Sequence, residues 1–172
     1  MNPKFKKDFE AFGNYTYHYS LFNAAIRILK NHELSFIFWG RQKEYSKNKA
    51  VKRIIGAVMF LYRRKYGLEM NFDNIGEGIR LIHPWNITIN HNAIIGKRVT
   101  LFKGCTIGEI QFGNKKGNPK LGNNITVFAN ATICGDVTIG DNSTIAANSF
   151  VNFDVPPNST VLGNPGIIHN KV

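Results

Sequence analysis

The chain has 172 residues, of which 43% are hydrophobic and 19% charged, and it is long enough to fold around one sizeable core. The first ten residues, MNPKFKKDFE, contain no apolar run, and the longest such run, AVMFLY at 57–62, is far shorter than the ~20 residues that span a bilayer. We therefore expect neither a secretory signal nor a membrane span. Cys105 and Cys134 lack metal-binding spacing, which predicts a reduced, cytoplasmic protein without a metal site.

The net charge of +11 is concentrated in the first part of the chain. Residues 1–70 contain 14 Lys and Arg against 5 Asp and Glu, together with 14 of the 21 aromatic residues. Three interpretations fit this segment: it packs against the rest of the fold as a cap, it rests on the anionic inner face of a membrane, or it binds nucleic acid. The cap is favoured, with peripheral membrane contact second. Nucleic acid is not expected as a partner, because no binding motif is present.

Residues 1–66 are predicted to form a helical segment. Within 48–67, apolar residues recur at i, i+3, i+4, i+7, i+8 and i+11, which places them on one face of a helix: Val51, Ile54, Ile55, Val58, Met59 and Tyr62. Gly67 is expected to cap this helix behind the basic residues 63–65. Another helix is predicted over 19–33.

Residues 67–172 are predicted to form a second domain, built on a six-residue repeat. An aliphatic residue opens each hexad: Ile89, Ile95, Leu101, Ile107, Leu121, Val127, Ile133, Ile139, Ile145 and Val151. The fifth position is small or medium-sized: Ala93, Val99, Cys105, Ile125, Ala131, Val137, Ser143 and Ser149. Three hexads form one triangular coil of a parallel β-helix, and stacked coils bury their aliphatic residues in one column. A β-sandwich is the alternative, but it would show irregular turn spacing and a period of two.

The repeat is interrupted at two places. In RLIHPWNITIN (80–90) the register shifts by two residues, and His83 and Trp85 stand between two strand-like segments. From Ile107 to Leu121 the step is fourteen residues rather than twelve, which predicts a loop over 109–120. Function is often found where loops leave a regular scaffold.

The hexads resemble those of the left-handed β-helix acyltransferases, and the details resemble the serine acetyltransferase branch. The motifs that carry this resemblance are GLEM (67–70), IGEGIRLIH (75–83), ITIN (87–90), KGCTIG (103–108) and the C-terminal segment 147–169. Length, the basic helical front and the GLEM start are most similar to the colanic-acid and capsular-polysaccharide O-acetyltransferases. The resemblance implies acetyl transfer from acetyl-CoA by a homotrimer with active sites between neighbouring chains.

The resemblance also assigns three catalytic residues. His83 is the general base that accepts the proton of the acceptor hydroxyl. Glu69 is its acidic partner, which holds the second imidazole nitrogen, and the backbone N–H of Gly108 stabilises the oxyanion. The alternatives are a surface histidine, a solvated glutamate at a helix end and an ordinary turn glycine.

Binding residues follow from the same comparison. Acetyl-CoA is expected to contact backbone groups at Gly108, Ala129 and Ala147, with its adenine near the segment Gly163, Asn164 and Pro165. For the acceptor, the residue types rather than the resemblance carry the prediction: the aromatic face of Trp85 beside the base is expected to pack on a sugar ring, and Asn118 and Lys116 in the loop to hydrogen-bond hydroxyls or an acidic sugar, with a solvated side chain as the alternative for Lys116. A core or trimer-contact tryptophan is the alternative for Trp85.

Two departures bear on the acceptor. Ile82 stands where serine acetyltransferases carry an Asp, and Gly117 and Asn118 stand where they carry an Arg-His pair that helps to hold serine. We therefore expect the acceptor to be a hydroxyl of a surface polysaccharide unit or its precursor. The alternatives are an enzyme for serine or another small molecule and, in a different class, a non-catalytic β-helix that serves assembly or binding.

Overall fold

The computed structural model describes residues 2–12, 28 and 30–170. Within these residues, three α-helices with described bounds precede the strands: α1 (Pro3–Ala11), α2 (His32–Tyr45) and α3 (Lys49–Tyr66), followed by a short 3-10 helix at Phe72–Asn74. The helix predicted over 19–33 lies mostly outside the described residues. Within the described ranges, no helix is both long enough and apolar enough to cross a membrane.

Thirteen short strands follow the helices. They are β1 (Arg80–Ile82), β2 (Thr88–Ile89), β3 (Ile94–Ile95), β4 (Thr100–Phe102), β5 (Thr106–Gly108), β6 (Lys120–Leu121), β7 (Thr126–Val127), β8 (Thr132–Cys134), β9 (Thr138–Ile139), β10 (Thr144–Ile145), β11 (Phe150–Val151), β12 (Ser159–Leu162) and β13 (Ile167–Asn170).

Helix α3 confirms the apolar pattern that predicted it. The side chain of Asn48 accepts hydrogen bonds from the N–H groups of Ala50 and Val51, which satisfies donors that the first turn leaves free. Gly67 ends the helix in the left-handed conformation, at φ 66°, and its N–H donates to the carbonyl of Arg63. A residue with a Cβ would be strained at this φ, so the glycine marks the helix end.

The strands form the predicted left-handed parallel β-helix. From β1 to β8, each strand pairs in parallel with the strand three places further along the chain, and β10 pairs with β12 because the residue between them on the third face, Val155, forms only an isolated bridge. The coil therefore has three faces: β1-β4-β7-β10-β12, β2-β5-β8-β11 and β3-β6-β9. Strand β13 turns back and pairs antiparallel with β12. All ten aliphatic positions and all eight fifth positions of the predicted hexads are buried.

The inward residues also show where the coil departs from its period. Eight residues separate Leu81 from Ile89, and four separate Val151 from Val155, where the ordinary step is six. Ile107 and Leu121 lie on consecutive faces. The prediction that twelve residues is the ordinary spacing between Ile107 and Leu121 was therefore wrong. Residues on consecutive faces are ordinarily six apart, so this step of fourteen contains eight extra residues. The extra residues form a hairpin-like loop outside the coil.

The helices cap the first coil, as the favoured interpretation predicted. Phe5 of α1 and Phe36 and Ile37 of α2 are buried in the same hydrophobic cluster as the first coil residues. Helix α3 packs less completely: Ile55 is its one fully buried side chain, while Ile54 and Leu61 are exposed. The predicted apolar stripe of α3 is thus only partly covered by the described residues.

Candidate active site

His83 and Pro84 are the two residues by which the first coil exceeds its period. Ile82 pairs in register with Phe102, and the N–H groups of Lys103 and Gly104 donate to the carbonyls of Ile82 and Trp85. The adjacent residues Lys103 and Gly104 of the second coil are therefore hydrogen-bonded to Ile82 and Trp85 of the first coil, which are three residues apart in sequence. The backbone between those two carbonyls, His83 and Pro84, is pushed out of the ladder.

This protrusion exposes the predicted base. His83 has φ 50°, and its side chain is exposed to solvent. Other non-glycine residues with positive φ in the described coils are mostly asparagines at corners, for which this conformation costs little. A histidine held in this region is unusual, and such positions are concentrated at functional sites.

Trp85 lies directly beyond the protrusion and is half exposed. Its ring meets that of Tyr66 edge-on, with centroids 5.0 Å apart, and Tyr66 is stacked on His32 with centroids 4.9 Å apart. An aromatic surface therefore runs from the end of α3 to the corner that carries His83. One face of Trp85 packs against the protein and the remainder is open to a ligand.

The predicted cofactor residues form a column below this corner. The carbonyls of Trp85, Lys103 and Ala129 each accept a hydrogen bond from the next coil, from Gly104, Asn130 and Asn148 respectively. Ala147 continues the column, and because Ile145 pairs with Val161, Gly163 lies beneath it. Ala129, Ala147 and Gly163 have small or no side chains, so the backbone along this edge is accessible. Asn164 and Pro165 follow at its lower end and are exposed.

Glu69 lies on another face of the coil. It bridges to Thr88, and its N–H donates to the carbonyl of Ile87 over 2.9 Å. Its carboxylate forms an ion pair with Arg63 of α3, with 3.0 Å between Nη2 and Oε1. Among the described residues, no hydrogen bond or ion pair joins Glu69 to His83. The pairing of these two residues stays a prediction.

Gly108 closes β5, where the chain leaves the coil for the loop. It pairs in register with Cys134, and its carbonyl accepts the N–H of Gly135 over 3.1 Å. A cleft of about 490 Å³ brings Gly108 and Glu69 together. His83 is not among the described residues that line this cleft.

The loop residues differ from each other. Asn118 is partly buried, and in the described part of the chain its side-chain oxygen has no hydrogen-bond partner. A buried acceptor without a donor requires an explanation, and a ligand or a neighbouring chain would supply one. Lys116 is exposed, which fits a solvated side chain as well as a binding role.

Three cleft residues were not predicted from the sequence. Lys43 of α2, Arg63 of α3 and His91 of the turn after β2 line the cleft together with Glu69. His91 lies in a turn, and Lys43 and Arg63 belong to the positively charged helical segment. No local pattern marks them, because it is the packing of the helices on the coil that brings them to one place.

The comparisons with known proteins agree with the fold. Residues 118–152 match the family described as bacterial transferase hexapeptide, six repeats. The serine acetyltransferase of Staphylococcus xylosus is 35% identical over 126 residues, which cover 72% of this chain and 57% of that protein. Probable serine acetyltransferase 1 of Oryza sativa subsp. japonica is 44% identical over 91 residues, covering 53% and 30%.

Solved structures of serine acetyltransferases have a similar fold. A serine acetyltransferase of Neisseria gonorrhoeae in complex with serine has a TM-score of 0.75 at 24% identity and covers 96% of this chain and 67% of that one. A serine acetyltransferase in complex with CoA has a TM-score of 0.67 at 25% identity and covers 79% and 56%.

The fold and the repeat define a hexapeptide-repeat protein with a left-handed parallel β-helix. Residues 118–152 match the bacterial transferase hexapeptide family, and the six-residue repeat continues on both sides of the matched segment. It spans only 30% and 57% of the length of the two curated relatives above. These relatives carry the name serine acetyltransferase, rather than that of the polysaccharide O-acetyltransferases expected from the finer resemblance.

Proposed function

We propose that this protein is an acetyl-CoA-dependent O-acetyltransferase. The observation that carries the proposal is the position of the protruding His83 at the upper end of the column formed by Ala129, Ala147 and Gly163. A base and a path for an extended thioester therefore share one edge of the coil. The names of the relatives agree with this activity.

The proposed reaction assigns one step to each catalytic residue. One imidazole nitrogen of His83 accepts the proton of the acceptor hydroxyl while the acceptor oxygen bonds to the acetyl carbonyl carbon. The backbone N–H of Gly108 stabilises the negative charge on the carbonyl oxygen. The carbon–sulfur bond then breaks, an acetyl ester and CoA are formed, and the proton passes from His83 to the leaving sulfur. Glu69 is assigned to the second imidazole nitrogen.

Acetyl-CoA supplies the acetyl group as a thioester, and the residues along the column fit an extended ligand. Small side chains at Ala129, Ala147 and Gly163 leave room for an extended ligand along this edge, and Lys103 provides a positive charge on the same edge. The segment Asn164 and Pro165 is proposed to contact the adenine.

We also propose a homotrimer with active sites between neighbouring chains, as the resemblance implies. In a single chain, Gly108 and Glu69 line the cleft while His83 lies outside its lining. A second chain that places its His83 at the cleft would complete the site. Sedimentation equilibrium should give three times the 19.4 kDa mass of one chain, and a monomer with full activity would contradict this arrangement.

Serine is the acceptor that the names of the relatives support. A saccharide hydroxyl is the second candidate, and two features of this chain favour it. Ile82, Gly117 and Asn118 replace the residues that the resemblance assigns to holding serine. Trp85 presents an open aromatic face beside His83, a surface on which the apolar side of a sugar ring can pack.

One experiment tests the activity and separates the two acceptors. Acetyl-CoA is incubated with serine and with a panel of sugars and oligosaccharides, and CoA release and acetylated product are both measured. Trp85→Ala should weaken turnover of sugars and leave that of serine nearly unchanged. Absence of CoA release with every acceptor would contradict the proposal and favour a non-catalytic assembly module.

Contact with an anionic lipid surface is proposed separately, and it rests on the side chains of α3 alone. Ile54 and Leu61 are exposed between the basic residues Arg53, Arg64 and Lys65. Apolar side chains flanked by positive charge bind the surface of anionic bilayers. The protein should sediment with phosphatidylserine vesicles and not with phosphatidylcholine vesicles, and Ile54→Ser with Leu61→Ser should abolish this. Equal sedimentation with both vesicles would contradict it.

A further inference from the structure

The cleft above Gly108 has the size and composition of a binding site for a small ligand. It lies between α2, α3 and the first two coils, and its volume of about 490 Å³ is within the usual range for such sites. It is lined by Phe36, Lys43, Gly56, Met59, Phe60, Arg63, Leu68, Glu69, Met70, Asn71, Thr88, Ile89, Asn90, His91, Ile107 and Gly108. Seven of the sixteen described lining residues are polar or charged, so the wall combines apolar side chains with hydrogen-bonding groups.

The charges in this cleft do not cancel. Glu69 is its one carboxylate, and Arg63 already neutralises it through the ion pair of 3.0 Å. Lys43 and His91 are both exposed at the mouth of the cleft, and neither side chain forms an ion pair or hydrogen bond with a described residue, so both are free to contact a ligand. The cleft therefore has an excess of positive charge and of hydrogen-bond donors that the described part of the chain does not satisfy.

These unsatisfied groups define the ligand by its chemistry. A lysine ammonium and an imidazole N–H both donate hydrogen bonds to anions, and such charge-assisted bonds are stronger than neutral ones. The hydroxyl of Thr88 and the Nδ2 of Asn90 add groups suited to a hydroxyl-bearing ligand. The side chain of Asn71 is already bonded to Asp73, and Oδ1 of Asn90 accepts the N–H of Asn92. A small hydroxylated molecule with one carboxylate satisfies all of these groups, whereas a neutral polyol leaves Lys43 without a counter-ion.

We infer that this cleft binds the acceptor and that the acceptor carries a carboxylate as well as the hydroxyl that is acetylated. The inference rests on the proposed function for the identity of the ligand as an acceptor. It limits the two acceptor candidates to compounds that carry both a hydroxyl and a carboxylate. These are serine, which is an amino acid, and sugars that bear an acid group. Lys43 and His91 are the residues that select the carboxylate.

Binding is tested first in the absence of acetyl-CoA, so that the result does not depend on catalysis. Three matched pairs of probes differ only in the acid group: glucuronate and glucose, galacturonate and galactose, and serine and serinamide. Ligand-observed NMR titration should show binding at least tenfold tighter for one or more of the acids than for its neutral counterpart. The pair that shows the difference separates a sugar acid from an amino acid.

Variants then identify the groups responsible. Lys43→Gln should weaken binding of the acid about tenfold, the loss expected for one charge-assisted hydrogen bond, and His91→Asn should weaken it severalfold. Lys47→Gln and His169→Asn are the matched controls, because both residues are exposed and neither lines the cleft. Neither control should change the affinity.

The inference and the proposed function fail in different ways. If no acid binds better than its neutral counterpart, or if Lys43→Gln binds the acid as tightly as the unmodified protein, the carboxylate site is wrong even when acetyl transfer is observed. If the acid binds as expected but no acetyl transfer occurs with any acceptor, the site stands as a binding site and the proposed enzymatic activity fails.

Discussion

The guanidinium Nε of Arg41 donates a hydrogen bond to Oδ2 of Asp8 over 2.8 Å, and both side chains are entirely buried. The other carboxylate oxygen accepts the N–H groups of Gly78 and Ile79, over 2.6 and 3.0 Å. Arg41 donates in turn to the carbonyl of Ile75 over 2.8 Å. One ion pair thus joins α1 and α2 to the backbone of the first coil.

Asp8→Asn should destabilise the protein strongly. The substitution removes the fully buried carboxylate beside Arg41 and leaves the partly exposed Glu44, 3.1 Å from Nη1, as its remaining anionic partner. Breaking a buried pair typically lowers the free energy of unfolding by about 3–5 kcal/mol, and Glu44 places the expected loss toward the lower end. Urea denaturation followed by circular dichroism measures the loss. Glu10→Gln is the control, since its ion pair with Lys7 spans 3.8 Å on the surface and should contribute well under ~1 kcal/mol. Equal losses for the two variants would show that the buried pair has no special role.

His83→Asn should abolish most activity and leave stability unchanged. Asparagine accepts the positive φ at this position but cannot act as a base, so kcat should fall by about 10²–10⁴. The free energy of unfolding should change by less than ~0.5 kcal/mol, because the side chain is exposed. Steady-state kinetics and urea denaturation test both statements, with His169→Asn as the control. Activity within twofold of the unmodified protein would remove His83 from the mechanism.

The substitution Gly108→Ala tests whether Gly108 takes part in catalysis or is an ordinary turn glycine. A Cβ at this position would lie 3.6 Å from Cγ2 of Thr106, an ordinary contact, so the fold should tolerate it. Catalysis should be impaired, because the added methyl group occupies the cleft where the thioester carbonyl is proposed to lie. We expect kcat to fall at least about tenfold. Gly96→Ala provides the contrast: its Cβ would lie 2.2 Å from the carbonyl oxygen of Gly122, and the loss there should be one of stability. Unchanged kcat in Gly108→Ala would argue for an ordinary turn glycine.

The two thiols should react slowly in the native protein. Burial raises the pKa of Cys105 to about 11, so that about one thiol in a thousand is ionised at pH 8, and the fraction rises about tenfold per pH unit. Burial also raises the pKa of the half-buried Cys134. In Cys134→Ala, a thiol reagent at pH 8 should find almost no reactive group until urea is added. Reaction at equal rates in buffer and in urea would show that Cys105 is accessible.

The sequence predicted the coil well and the site only in part. Hexads are read from single side chains at fixed spacing, so the inward positions and the loop after Gly108 could be predicted. The protrusion at His83 was visible as a shift of two residues. The ion pair between Glu69 and Arg63 could not be predicted, because it depends on how α3 packs against the coil. Lys43 lines the same cleft from a different helix, α2, and could not be predicted for the same reason. Contacts between elements that are distant in sequence have no local periodic signal.

From Ile75 onward, the three irregular steps of the coil share an arithmetic property. The step from Leu81 to Ile89 is two residues longer than a hexad, that from Ile107 to Leu121 is eight longer, and that from Val151 to Val155 is two shorter. Every change is an even number. Side chains alternate along an extended chain, so an odd change there would turn the following inward residues toward solvent. The earlier step of five residues from Met70 to Ile75 passes through the 3-10 helix at Phe72–Asn74 instead, and Ile75 remains inward. The extra residues at the corner are therefore a pair, His83 and Pro84. The ring of Pro84 restricts the backbone conformation next to His83 and so helps to fix the position of the histidine.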